Sequence, residues 1–255
     1  MPCTALTKFW IHHKGNEIHI SNTELNKFLR FIESLDMKMS DSEELKELVS
    51  RIKFVHVLGA GMNSEKPANT SISDLSERGW NPVPVHPRDA GASIVGYPVR
   101  PRIEDGVPPE VVVLFLAPER AREAVKRLLV TNYDSPALVW FQHGSEDTVA
   151  EGWLEVAGWS YVKNDCIVRF VQRHDLNREP EEIPWFKQVQ SEDGSGCSVW
   201  SVHEFREDSE KSPTELEWIG DLRDLEFSES SIPNYIRSLR NKGESLEECA
   251  RRLAN

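Results

Sequence analysis

Five short apolar runs divide the middle of the chain: Phe54-Val55-His56-Val57-Leu58, Val83-Pro84-Val85, Val111-Val112-Val113-Leu114-Phe115, Ala137-Leu138-Val139-Trp140-Phe141 and Ser160-Tyr161-Val162. Most are continuous and β-branched rather than alternating. Strands covered on both faces read this way, because neither set of side chains meets water. Between the runs lie helix-length segments, Thr70–Arg78, Glu119–Leu129 and Glu146–Ala157, with Gly79 and Gly158 placed to end two of them. Strand and helix therefore alternate, which predicts an α/β fold: an open parallel sheet with helices on both faces and right-handed crossovers. In such a sheet ligands bind outside the carboxyl ends of the strands.

The flanks follow other patterns. Thr23–Leu35 and Asp41–Val49 are helix candidates, the second with Ser40 and Glu43 spaced as a capping box. After His174 the rhythm is lost, and Pro180, Pro184, Pro213, Pro233 and the Gly194-Ser195-Gly196 point interrupt the chain. Two helices are expected near the end, Pro233–Arg240 and Ser245–Leu253, the latter capped by Ser245. The division expected is an N-terminal extension over 1–50, a Rossmann-like domain over 51–174, and an acidic, helical or irregular C-terminal extension over 175–255. Trp185, Trp200 and Trp218 imply that parts of that tail dock on something.

Composition narrows the function. Apolar residues make up 39% of the 255 and charged residues 28%, with a net charge of -12, of which the stretch 175–255 carries -9 (19 Asp/Glu against 10 Lys/Arg). An acidic chain of this kind does not draw nucleic acid through its global field. No apolar run approaches the span of a bilayer, and no basic-then-apolar leader opens the chain, so a cytoplasmic protein that stays off the membrane is expected. Cys3, Cys166, Cys197 and Cys249 are scattered outside any zinc spacing, and His12, His13 and His19 lack partners in register, so no metal site is expected.

Candidate chemistry lies at two strand ends. Leu58-Gly59-Ala60-Gly61 follows the first buried strand and precedes a helix whose start is marked by Asn69-Thr70-Ser71. Glycines there let a phosphate approach the backbone and the helix N-terminus. The third glycine of the dinucleotide fingerprint is absent, so the motif alone also fits a tight turn. The second strand ends in Val85-His86-Pro87-Arg88, where NAD-binding domains place a carboxylate for the ribose hydroxyls. No carboxylate is read there, and His86 and Arg88 suit a phosphorylated ribose, which favours CoA or NADP over NAD. Arg88 facing solvent and His86 packing is the alternative.

The succession of motifs resembles the small CoA-binding protein family, whose fold is shared with the nucleotide domain of succinyl-CoA synthetase. The carrying segments are Val57-Leu58-Gly59-Ala60, Gly79-Trp80-Asn81-Pro82-Val83-Pro84-Val85-His86-Pro87, Ile94-Val95-Gly96-Tyr97-Pro98-Val99, Phe115-Leu116-Ala117-Pro118-Glu119, Val139-Trp140-Phe141-Gln142-His143-Gly144, Ala157-Gly158-Trp159 and Asp165-Cys166-Ile167. The resemblance implies CoA or acyl-CoA as ligand, ahead of NADP, and places Gly59, Ala60, Lys66, Pro87, Pro118 and Gln142 around it. Together with Gly61, His86 and Arg88 these make the expected binding set. The chain departs from the family where His86 replaces Asn, Leu116 replaces Arg, and Ala68 and Asn69 stand where a basic residue is usual. Removing a buried hydrogen-bond partner in this way costs a ligand about 1–3 kcal/mol.

No catalytic residue is expected. His143 at a strand end is taken as structural and Cys166 as a packing thiol, since the neighbouring Asp165 disfavours a thiolate. The function expected is a non-catalytic CoA or acyl-CoA binding module with a regulatory role, docking a protein partner or a second copy through the terminal extensions. The alternatives are an interaction scaffold with a decayed nucleotide pocket, or a subunit of a CoA ligase or transferase.

Overall fold

The computed structural model describes residues 10–13, 16–19, 43–131 and 138–254, the first two stretches as backbone. Near the N-terminus β1 (Trp10–His13) and β2 (Asn16–His19) pair antiparallel, with Trp10 opposite His19. The helix expected over Thr23–Leu35, the Ser40 cap, Cys3 and the side chains of His12, His13 and His19 lie outside the described residues. The second expected helix is α1 (Glu43–Arg51), with Glu43 and Glu44 in its first turn and Arg51 in its last, as the helix dipole favours.

Residues 48–255 form one compact unit. Its first part runs β3 (Phe54–Leu58), α2 (Pro67–Glu77), β4 (Asn81–Val85), a short hairpin of β5 (Ser93–Ile94) and β6 (Tyr97–Pro98), and β7 (Val111–Leu114). It continues through α3 (Pro118–Val130), β8 (Leu138–Phe141), α4 (Thr148–Ala157), β9 (Tyr161–Val162) and α5 (Ile167–Arg173). The main sheet has the order β4-β3-β7-β8-β9, with every neighbouring pair parallel. This is the open parallel sheet that the apolar runs predict. Every residue of β3, β4, β7 and β8 is buried, so the runs are continuous. Pro82 and Pro84 are tolerated because β4 lies at the edge of the sheet, where fewer ladder donors are needed.

Local chemistry sets the helix ends. α2 begins at Pro67, with Lys66 as a cap that makes no side-chain bond, so Asn69, Thr70 and Ser71 lie inside the helix they were expected to open. The fixed φ of proline and its missing N–H suit a first helical position. In α4, Asp147 accepts the N–H groups of Val149 and Ala150 and pairs with Arg122 of α3. The guanidinium holds the Asp147 carboxyl below the usual carboxylate range, and those two N–H bonds add to the effect. Gly79, with φ of 87°, follows α2 where a Cβ would lie 1.8 Å from the Arg178 carbonyl oxygen, so only glycine lets that segment pass.

The C-terminal part contains strands that the sequence pattern did not announce. β10 (Trp185–Gln190), β11 (Ser198–His203) and β12 (Leu216–Asp221) form an antiparallel sheet of order β11-β10-β12, followed by α6 (Leu222–Phe227), α7 (Ser231–Ser238) and α8 (Leu246–Arg252). The last two are the expected helices, α7 starting before Pro233 rather than at it, and α8 carrying a Ser245–Glu248 capping box. Trp200 stacks between Phe186 and Trp218, at ring centroid distances of 5.5 and 5.8 Å, over a small core that includes Leu225, Ile236 and Ala250.

Polar groups join this part to the connection between β4 and β7. Arg100 donates from Nε to Asp224 Oδ2 and from Nη2 to Asp221 Oδ2, both at 2.7 Å. Asp224 also accepts the Val107 N–H, Ser228 and Ser230 bond Asp105, and Lys187 Nζ donates to the Gly91 carbonyl. The connection that forms one wall of the candidate site is thus gripped from the C-terminal side.

Candidate functional site

Two cavities open at the carboxyl ends of the parallel strands. One, of about 440 Å³, lies between the loop after β3, the start of α2 and the loop after β8. The other, of about 650 Å³, lies between the segment after β4 and the start of α3. Gly59, His86, Arg88, Phe115 and Leu116 line both, so the two form one groove across the end of β3. Connections leave β3 and β7 toward opposite faces of the sheet, and this is the crevice where an open α/β sheet receives its ligand.

The expected residues divide as follows. Gly59, Gly61, Lys66, His86, Arg88 and Gln142 line the first cavity; Pro87 lines the second, with Gly59, His86 and Arg88 again. Ala60 is wholly buried beneath the loop. Pro118 opens α3 and is not among the lining residues, whereas its neighbours Ala117 and Glu119 are. Gly59 has a φ of 97°, donates its N–H to the Val85 carbonyl at 3.0 Å, and passes the Phe115 carbonyl so closely that a Cβ would lie 2.5 Å from that oxygen. The loop therefore needs glycine there for its own path.

Cations and carboxylates share the rim, with Asp89 in the first cavity and Glu104, Glu119 and Glu123 in the second. Lys66, Arg88 and Arg120 are exposed around the groove, and none has an ion-pair partner among the described residues. Gln142 is only 4% exposed, and its Nε2 has no hydrogen-bond partner, an uncompensated donor at the edge of a cavity. The second cavity has a more apolar lining, including Pro101, Ile103, Leu116 and Ala124. A flat ring with few polar needs suits it.

Three further residues bear on the site. His143, taken as structural, is exposed and lines the first cavity. Leu116, where the family has Arg, lines both cavities. The strand end 85–88 carries no carboxylate, as expected, but Asp89, four residues beyond Val85, turns back so that Oδ2 accepts the Met62 N–H of the first loop at 2.8 Å. A turn closed by the Asp89 N–H and the His86 carbonyl brings it there, which inspection of the strand end alone could not reveal. Cys166 is half-buried at the start of α5.

Residues 53–171 match the family model described as CoA binding domain. This segment belongs to the CoA binding domain family. The domain contains the whole parallel sheet and both cavities, while β10–β12 and α6–α8 lie outside the matched residues. Similar solved structures include the cell-free ID.343 protein of Thermus thermophilus (28% identity, 51% of this chain and 96% of that chain, TM-score 0.48). A hypothetical protein from Pyrococcus horikoshii OT3 (27%, 53% and 94%, TM-score 0.46) and a conserved hypothetical protein from Pyrococcus furiosus (26%, 46% and 98%, TM-score 0.41) are also similar. No curated protein matches the chain. Among the described residues no helix is long and apolar enough to cross a membrane, and no group of His, Cys, Asp and Glu is placed to hold a metal ion.

Proposed function

We propose that the protein binds CoA or an acyl-CoA in the groove at the end of β3 and uses occupancy as a signal rather than as a step in catalysis. The observation that carries this reading is the coincidence of the CoA binding domain with a groove that offers both parts of such a ligand a place. Lys66, Arg88 and Arg120 supply positive charge for phosphates, the Gln142 amide supplies a buried donor, and the more apolar cavity suits an adenine ring. NADP meets the same cations but ranks behind CoA, because the family's ligand is CoA. The C-terminal part grips the wall of the groove through Arg100, Asp105 and Lys187, which gives it a route to respond to a ligand and to pass the change to a protein partner or a second copy.

The test is calorimetric titration of the full chain with CoA, acetyl-CoA, NADP and NAD, repeated on Gly59→Val. Binding of CoA and acetyl-CoA that Gly59→Val abolishes supports the reading, and no heat from any of the four overturns it. A second reading, an interaction scaffold with a weakened pocket, is favoured by Leu116. An apolar side chain lines both cavities where the family's arginine would meet a phosphate.

A further inference from the structure

Gly61 and the Met62 N–H are what a backbone loop offers a phosphate: a position without a side chain and a donor directed into it. In this protein a carboxylate of the chain itself holds both. Asp89 Oδ2 accepts the Met62 N–H at 2.8 Å, and a Cβ on residue 61 would lie 2.2 Å from that oxygen, so the carboxylate rests in the space glycine leaves. The imidazole of His86 borders the same spot, its Nδ1 3.1 Å from Asp89 Oδ2 but off the line of a hydrogen bond. Asp89 lines the first cavity together with Lys66 and Gln142.

This placement is held from two sides. The Asp89 N–H donates to the His86 carbonyl at 3.2 Å, closing the turn after β4. Lys211 Nζ, from the C-terminal part, donates to the Arg88 carbonyl at 2.7 Å. The residue that occupies the loop is therefore adjacent to a backbone group tethered outside the CoA binding domain.

We propose that Asp89 is a built-in anion that fills the phosphate-cradling part of the groove and must leave it before a phosphorylated ligand binds there. The inference rests on the nucleotide reading above and adds how the site sets its affinity. A carboxylate and a phosphate compete for the same N–H and repel at such range, so the apparent affinity is reduced by the fraction of molecules in which Asp89 has swung out. The Lys211 tether biases that fraction, which makes the C-terminal part a control on the groove.

The experiment is calorimetric titration of the full chain with CoA, ADP and adenosine, in the wild type, Asp89→Asn, Asp89→Ala and Lys211→Met, with thermal unfolding as the check on folding. Asp89→Asn removes the charge and nearly preserves size. Both Asp89 variants are expected to bind CoA and ADP at least about tenfold more tightly, a shift well resolved by titration. Adenosine, which has no charge to compete with a carboxylate, is expected to bind unchanged. Lys211→Met moves CoA affinity in the same direction by less. CoA and ADP binding that is measurable but no tighter in the Asp89 variants overturns the proposal, as does an equal gain for adenosine. If both Asp89 variants fail to fold, an unchanged CoA affinity in Lys211→Met overturns it instead. Absence of binding by wild type and by both folded Asp89 variants overturns the nucleotide reading itself, and this inference with it.

Discussion

The CoA binding domain and the C-terminal sheet belong to one compact unit but cohere by different means. In the domain, four strands bury every residue, and Val57, Val111, Val112, Val113 and Trp140 are wholly excluded from water. In the C-terminal sheet β10 is buried over half its length and β11 has no buried residue. The aromatic stack of Phe186, Trp200 and Trp218 holds its interior, and its junction with the domain, which also has the Tyr97–Phe205 ring contact and Ile183 on the domain's core, contains a buried ion cluster. Apolar burial does not respond to pH, whereas a buried ion cluster does. The attachment of the C-terminal part therefore includes groups, Arg100, Asp221 and Asp224, whose loss leaves buried charge unpaired.

The largest effect is expected at Arg100. Its guanidinium serves Asp221 and Asp224, and Arg100→Ala leaves two buried carboxylates facing each other, at a cost of about 3–5 kcal/mol. Amide hydrogen exchange should show β10–β12 losing protection first while β3 and β7 keep theirs. Equal loss in both regions would erase the distinction between them. Replacing all three by Arg100→Met, Asp221→Asn and Asp224→Asn should recover much of the stability, since no uncompensated charge is then left behind.

The pH dependence sharpens the comparison with a smaller effect. Burial raises Asp221 to about 6, and the neighbouring Asp224 adds to this, against the pull of Arg100. The unfolded value is about 3.9, so the folded state takes up the proton first. Stability from this group is full below about pH 4 and is lost as pH rises through about 6. His56 acts in the opposite sense over much of the same window, because burial, with Arg100 nearby, lowers it to about 3. Its contribution falls as acid protonates the unfolded chain. The check is therefore the difference in Tm between wild type and Asp221→Asn across pH 4 to 8. It should change through this range, and a constant difference would mean that the junction does not titrate.

The smallest effect is confined to the domain. Asp147→Ala removes the cap of α4 and its pair with Arg122, and should cost about 1–2 kcal/mol in thermal unfolding without selective exposure of β10–β12. Loss of protection in the C-terminal sheet would show that the two parts are more tightly coupled than the junction suggests.

Legibility in the sequence followed the same division. The parallel strands could be read because burial on both faces leaves continuous apolar runs, and Gly79 and Gly158 marked helix ends where the structure has them at positive φ. β10 and β11 could not, because Trp185-Phe186-Lys187-Gln188-Val189-Gln190 and Ser198-Val199-Trp200-Ser201-Val202-His203 mix apolar and polar residues over short lengths. Lys187, buried and bonded to Ser209 and the Gly91 carbonyl, reads as a solvent-facing residue. At the groove, the sequence pointed to Gly59, Gly61 and the His86–Arg88 end of the second strand. Leu116 was flagged by the resemblance and His143 was read as structural, whereas Asp89 entered only when a turn had brought it to the same cavity.

The amino-acid sequence alone determined the alternation of strands and helices, the parallel sheet and the family of the segment 53–171, because apolar periodicity and turn residues act over short stretches of chain. The tertiary structure decided which charges meet. Arg100 finds Asp221 and Asp224 more than a hundred residues away, and Asp89 reaches the loop at Gly61 and Met62 through a turn. Such encounters depend on the path of the backbone in three dimensions, which no local pattern encodes.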